Sequence, residues 1–154
     1  MVKDSALPVK KQAQRINDAY AEYLGSFDWD FFCTFTTPYT LTLKSARRLM
    51  EKYHKDVAKG GSTLLFWVAE PFDVKEGFHT HALLKVPECY QFKHFVELWQ
   101  VATGCKGKKK TDENGRESKV HARIELKKYQ KNLGARHYVG KYMMKNGADY
   151  DFLT

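Results

Sequence analysis

Residues 63–86 read TLLFWVAEPFDVKEGFHTHALLKV, and this stretch decides the fold. Residues 63–70 (TLLFWVAE) form a short apolar run rich in aromatic and β-branched side chains, the pattern of a buried strand. Residues 71–77 (PFDVKEG) then collect Pro, Asp and Gly, which favour a turn. Residues 78–86 (FHTHALLKV) follow as the hairpin partner and are closed by Pro87. A hairpin at the centre of the chain calls for an antiparallel sheet around it.

Working outward, residues 29–37 (WDFFCTFTT) read as a strand ended by Pro38. Residues 119–126 alternate Val120, Ala122, Ile124 and Leu126, which suits another strand. Helices are expected over 9–24, with Ala13, Ile16, Tyr20, Tyr23 and Leu24 as one apolar stripe, and over 41–58, ending near Gly60 and Gly61. Residues 91–101 carry Phe92, Phe95, Val96, Leu98 and Trp99 at helical spacing. A last helix runs from about residue 134 to 145, where Asn146 and Gly147 stop it. Residues 104–118 have no apolar period and read as an exposed basic loop. The order α-β-α-β-β-α-β-α, without internal repeats, predicts one α+β domain: a mainly antiparallel sheet with helices on its faces.

The chain has 154 residues, 43% of them hydrophobic and 14% aromatic, enough for one compact core. No apolar run approaches the length of a membrane span, and the polar start does not resemble a secretory leader, so a cytoplasmic location is expected. Cys33, Cys89 and Cys105 form no CxxC or zinc-finger spacing and read as free thiols in a reducing compartment. The net charge of +8 is concentrated: residues 105–145 hold 13 Lys or Arg against 4 Asp or Glu, while the rest of the chain is close to neutral. Such polarisation points to a polyanion, with nucleic acid first among the candidates.

The period of two in 78–86 puts His79 and His81 on one face of a strand, near enough to chelate one ion. Glu70, at the end of the preceding strand, returns beside them if the hairpin closes across 71–77, although its register is not fixed by the sequence. Two imidazoles and one carboxylate leave coordination positions open, an arrangement for catalysis and not for a closed structural site. Further on, HYVGKYMMK places Tyr138 and Tyr142 one helical turn apart, with Lys141 and Lys145 on the same side and Ala135, Val139, Gly140, Met143 and Met144 toward the core. An amphipathic helix is the simpler account of the tyrosines alone. Basic neighbours and a metal-bound phosphate would instead favour the phenolate and make a tyrosine a nucleophile.

Taken in order, these segments resemble a known family. EPFDVKEGFHTH (70–81) is similar to the HUH motif of rolling-circle replication initiators, and YVGK followed by Tyr142 resembles their tyrosine motif, YxxKY. FCTFTTP (32–38) is similar to their first motif, a hydrophobic-Thr strand that lies beneath the active site, and LWQVATG (98–104) resembles the segment before their later strands. The likeness covers about residues 31–145. Thr80 departs from it, standing where a bulky hydrophobe is common between the histidines.

The resemblance implies an RRM-like, ferredoxin-like fold with a single-layer five-stranded antiparallel sheet flanked by helices. It implies Glu70, His79 and His81 as ligands of one divalent ion, Mg²⁺ or Mn²⁺. Tyr138 would be the primary nucleophile, Tyr142 the second tyrosine of the two-tyrosine branch, and Lys141 a phosphate or metal-site contact. Lys106, Lys108, Lys109, Lys110, Lys119, Arg123 and Lys145 are expected to grip the DNA backbone. The implied activity is nicking of single-stranded DNA or an origin hairpin, with host replication proteins as further partners, in a prokaryotic cell or its phage or plasmid. The chain ends soon after the tyrosine helix, so no helicase domain is expected within it; it reads as a stand-alone nicking protein or the catalytic piece of a longer one. A relaxase or transposase of the same superfamily is the nearest alternative. A non-catalytic RRM-like binding module, stacking bases on Phe32, Phe35, Phe66 and Trp67, is the alternative from another class.

Overall fold

The computed structural model describes residues 8–88, 91–140 and 149–154, apart from the side chain of Ala13 and those of 139 and 140. Its elements are helix α1 (Val9–Gly25), strand β1 (Phe31–Thr36), helix α2 (Leu43–Ala58), and the hairpin strands β2 (Leu64–Pro71) and β3 (Phe78–Lys85). Then come helix α3 (Phe92–Ala102), short strands β4 (Lys109–Thr111) and β5 (Glu117–Lys119), strand β6 (Arg123–Lys128), and strand β7 (Asp149–Leu153). A 3₁₀ turn (Lys131–Leu133) and a π-helical turn (Arg136–Gly140) precede the last strand. The main sheet has five antiparallel strands in the order β6-β1-β3-β2-β7. The chain is thus α+β, as its alternating pattern implied.

Both faces of the sheet are covered, and pleat alternation assigns each residue to one of them. Cys33, Phe35, Leu65, Trp67, Ala69, Ala82 and Leu84 point to one side and pack with Leu49, Met50, Tyr53 and Val57 of α2 and Phe95 and Trp99 of α3. Phe66, Val68 and Leu83 point to the other and pack with Leu24 of α1, Trp29, Tyr129, Ala135 and Tyr138. Strand β2 is buried on both faces along its middle, which is why 63–70 reads as an unbroken apolar run without alternation. Phe35, Phe66 and Trp67 are fully buried, so they form no open base-stacking platform.

Several local expectations shift. Thr42 and Ser45 cap α2 reciprocally, so the helix begins two residues later than the pattern at 41 suggests. The inward stripe of α1 runs through Tyr20, Ala21 and Leu24, while Ile16 and Tyr23 are exposed; the helix is rotated so that small Ala21 sits against the core. The basic segment 104–118 is not simply a loop. It forms the hairpin β4–β5, whose turn is held by Asp112, whose Oδ1 accepts the N–H groups of Asn114 and Arg116. The strand expected over 119–126 is β6, displaced to Arg123–Lys128, because Gln100 takes the preceding residues out of the sheet. The Gln100 amide receives the Ala122 N–H at 2.9 Å and donates back to its carbonyl.

Strand β7 has no counterpart in the sequence reading. Its Asp149 and Asp151 lie on the α2 side of the sheet, an unpromising place for carboxylates. Arg47 of α2 resolves this with a bidentate pair to Asp149 and a 2.8 Å contact to Asp151, and its guanidinium lies 5.2 Å from the Trp67 ring centre. The helix expected over 134–145 is described only as the π-helical turn to Gly140. Lys141, Tyr142 and Lys145 lie outside the described residues, as does Cys89.

Candidate metal centre

The central hairpin brings the three sequence-derived ligands together. Pairing of β2 with β3 sets Glu70 directly opposite His79, with Val68 opposite His81. The loop between them closes through the Phe72 N–H to the Gly77 carbonyl at 3.1 Å. Gly77 has φ +98, and a Cβ there would meet Thr40 Cγ2 at 2.8 Å, so glycine is needed both for the turn and for the approach of the neighbouring loop. His81 lies two residues beyond His79 on the same face, so both imidazoles and the carboxylate converge.

The convergence is tight. Glu70 Oε2 lies 2.7 Å from His81 Nε2 and 3.1 Å from His79 Nε2, and the two Nε2 atoms are 3.0 Å apart. Cis ligands bound about 2.1 Å from one octahedral ion stand roughly 3.0 Å apart, and tetrahedral ligands about 3.4 Å. The three donor atoms are therefore spaced as cis ligands of one ion would be, and the group is able to hold a metal ion. Glu70 and His81 are buried and His79 is half-buried, so solvent reaches the group chiefly from the His79 side.

Ring stacking and one hydroxyl fix the imidazoles. Phe32 of β1 lies parallel to His81, with 5.8 Å between ring centres, and Phe72 stacks on His79 at 4.6 Å. Thr34 of β1 places its Oγ1 3.2 Å from His81 Nδ1. If Nε2 is to present a lone pair to an ion, the His81 proton must sit on Nδ1 and be donated to Thr34. Replacing Thr34 with valine keeps the shape and removes this acceptor. Titration calorimetry with Mn²⁺ is expected to show about 10- to 100-fold weaker binding for Thr34→Val, and near-native binding for Thr34→Ser.

Sequence reasoning tied the 32–38 strand to the site through the resemblance and named Phe32 as a base-stacking candidate, but it did not single out Thr34 or Phe72, nor Phe32 as a partner of His81. A usable signal was present: in 31–36 the face shared by Phe32, Thr34 and Thr36 is the more polar one, and it meets the histidine face across the β1–β3 pairing, where Thr34 stands opposite His81.

Tyr138 is close to this group but enclosed. It is 8% exposed, with its ring 5.1 Å from Phe32 and 5.0 Å from Tyr129. Phe32 thus stands between it and His81 in this stack. The Tyr138 hydroxyl oxygen accepts the Gln130 N–H at 2.9 Å, a contact that does not use its own proton. Burial pushes the Tyr129 phenol above its ordinary value, so Tyr129 stays neutral and offers Tyr138 no base. Burial likewise raises the Cys33 thiol, which makes it inert.

The basic residues Lys106, Lys108, Lys109, Lys110, Lys119 and Arg123 are all exposed and gather around the β4–β5 hairpin and the start of β6. They therefore form a local surface, beside the sheet edge and apart from the three ligands. Among the described residues no helix is long and apolar enough to cross a membrane. Comparison of the chain with protein-family models, with curated proteins and with solved structures finds no match.

Proposed function

We propose that this protein is a metal-dependent endonuclease and strand transferase of the HUH class, with an RRM-like domain, that nicks single-stranded DNA through a tyrosine. The observation that carries the reading is the convergence of Glu70 Oε2, His79 Nε2 and His81 Nε2 within 3.1 Å, one aromatic ring away from Tyr138. A divalent ion in this group would polarise a phosphodiester as a Lewis acid, and Mg²⁺ or Mn²⁺ suits both the octahedral spacing and phosphoryl chemistry.

The chain's own residues supply the rest. Thr34 and Phe32 orient His81, and Phe72 orients His79, so the two imidazoles are held for an ion by their neighbours. Tyr138 is assigned as the primary nucleophile and Tyr142 as the second. The tyrosine oxygen bonds to phosphorus, the bond from phosphorus to the 3′ oxygen breaks, and the phenolic proton passes through solvent to the departing 3′ oxygen. The products are a 5′-phosphotyrosine and a free 3′-OH able to prime synthesis, as at the start of rolling-circle replication. Attack by a 3′-OH on the phosphotyrosine reverses the step, so joining needs no ATP.

The test uses circular single-stranded DNA carrying a randomised insert, incubated with the protein and Mn²⁺ and resolved on a denaturing gel. Wild type is expected to form a covalent protein–DNA adduct that EDTA prevents. Tyr138→Phe should lower the yield strongly, and the Tyr138→Phe, Tyr142→Phe double variant should form none. An adduct from the double variant would refute the tyrosine assignment; no adduct from wild type with Mn²⁺ or Mg²⁺ would refute the activity.

A further inference from the structure

A cavity of about 210 Å³ lies between the end of α3 and the β4–β5 hairpin, away from the three metal ligands. Its wall includes Gln100, Cys105, Val120 and His121, and its rim carries Lys106, Lys108, Lys109 and Lys119 against one acid, Glu97. Drug-sized ligands fill pockets of roughly 300–1,000 Å³, so this space suits a single ring system. An apolar slot ringed by lysines is the complement of a flat heterocycle attached to phosphates.

The slot is held in shape by the backbone. Gln100 clamps Ala122 through both of its amide atoms. The Val120 N–H reaches the Lys108 carbonyl at 2.9 Å, and the Lys108 N–H reaches the Cys105 carbonyl at 3.1 Å. The hairpin is therefore fastened to α3, and the slot exists before any ligand arrives.

The slot lies on the α3 side of the sheet, where Cys105 and Val120 pack, and the metal ligands lie on the other face; the β6 edge joins the two. Arg123 pairs with Thr36 at the end of β1 where Phe35 faces Thr80 of β3, which is the His79 end of the sheet. Glu125 pairs with Thr34, and Thr34 pairs with His81, so Arg123 and Glu125 lie on the same face as the ligands. Lys119, Val120 and His121 lead directly into Arg123. A strand leaving the ligands crosses two strand spacings, about 10 Å, from β3 to the edge strand β6, and then turns round that edge past exposed Arg123 to reach the slot.

We infer that this slot binds one unstacked base of the single-stranded DNA, a few nucleotides from the scissile phosphate, with the rim lysines on its flanking phosphates. The inference deepens the reading of the protein as a single-strand nickase and rests on it. It separates Lys119 from Lys110, which carry equal charge on the same hairpin. Lys109 stands opposite Lys119 and both border the slot, whereas Lys110 stands opposite Ser118 and, by strand alternation, faces away.

Ligand-observed NMR with the four deoxynucleoside 5′-monophosphates, in EDTA, tests this on the whole protein. Wild type and His81→Ala are expected to bind at one saturable site. Lys119→Glu should weaken binding at least tenfold, Lys110→Glu less than threefold, and Val120→Trp, verified as folded by circular dichroism, should block it. Equal losses for Lys119→Glu and Lys110→Glu would reduce the slot to diffuse charge and overturn the proposal, as would the absence of saturable binding by wild type. Nucleotide binding without adduct formation leaves the slot standing and the nicking reading refuted; adduct formation without nucleotide binding does the reverse.

Discussion

Replacing His81 with alanine is expected to abolish the stabilisation of this protein by Mn²⁺. A ligand that binds only the folded state at 100 times its Kd adds about 2.7 kcal/mol. For a chain of 154 residues, that corresponds to a rise in melting temperature of about 5–10 °C. Wild type should show that rise and EDTA should reverse it. His81→Ala removes the donor that stands 2.7 Å from Glu70 Oε2 and 3.0 Å from His79 Nε2. It leaves one imidazole and one carboxylate, and the Mn²⁺-dependent rise should fall below about 1 °C at the same concentration. His79→Ala should behave alike. Differential scanning fluorimetry across a metal series provides the measurement, and an undiminished rise in either variant would show that ions bind elsewhere. The same series ranks Mg²⁺, Mn²⁺ and Zn²⁺ on this donor set.

The second large effect concerns the core that carries the hairpin. Trp67 of β2 is fully buried, and its indole N–H has no hydrogen-bond partner among the described residues. Trp67→Ala deletes the largest side chain of the central strands and should cost about 3–5 kcal/mol in urea unfolding. Trp67→Phe also loses volume, but it removes a buried donor that lacks an acceptor, and such a donor costs about 1–3 kcal/mol. The phenylalanine variant is therefore expected to lose less than half as much as the alanine variant. Both variants still leave a hydrocarbon surface or a space beneath Arg47, whose guanidinium now lies over the indole. Equal losses in the two variants would mean that packing shape alone sets the stability of this strand.

The path from sequence to site differs from residue to residue. His79 and His81 share a face because strand alternation is local, and the sequence determined that relation unaided. Glu70 was legible as a candidate only. Its place directly opposite His79 depends on the number of residues that the 71–77 turn absorbs, and on Gly77 taking a positive φ against Thr40. Thr34 became a His81 partner through the pairing of strands 47 positions apart in the chain. The polar face of 31–36 is legible locally, but only the β1–β3 register sets Thr34 opposite His81.

The sequence by itself determined the α+β class, the central hairpin, the histidine face and the position of the basic charge. Each of these rests on periodicity or composition within a window of a few residues. Tertiary structure decided the rest. It recruited β7, which the sequence reading did not address, to the sheet edge, where Arg47 neutralises Asp149 and Asp151. It folded the basic segment into a hairpin and moved β6, because Gln100 captures both backbone groups of Ala122. It also enclosed Tyr138 between Phe32 and Tyr129, where a helical pattern alone left it at the border of the packed face. In each case the deciding contact joins segments whose proximity exists only once the chain is folded.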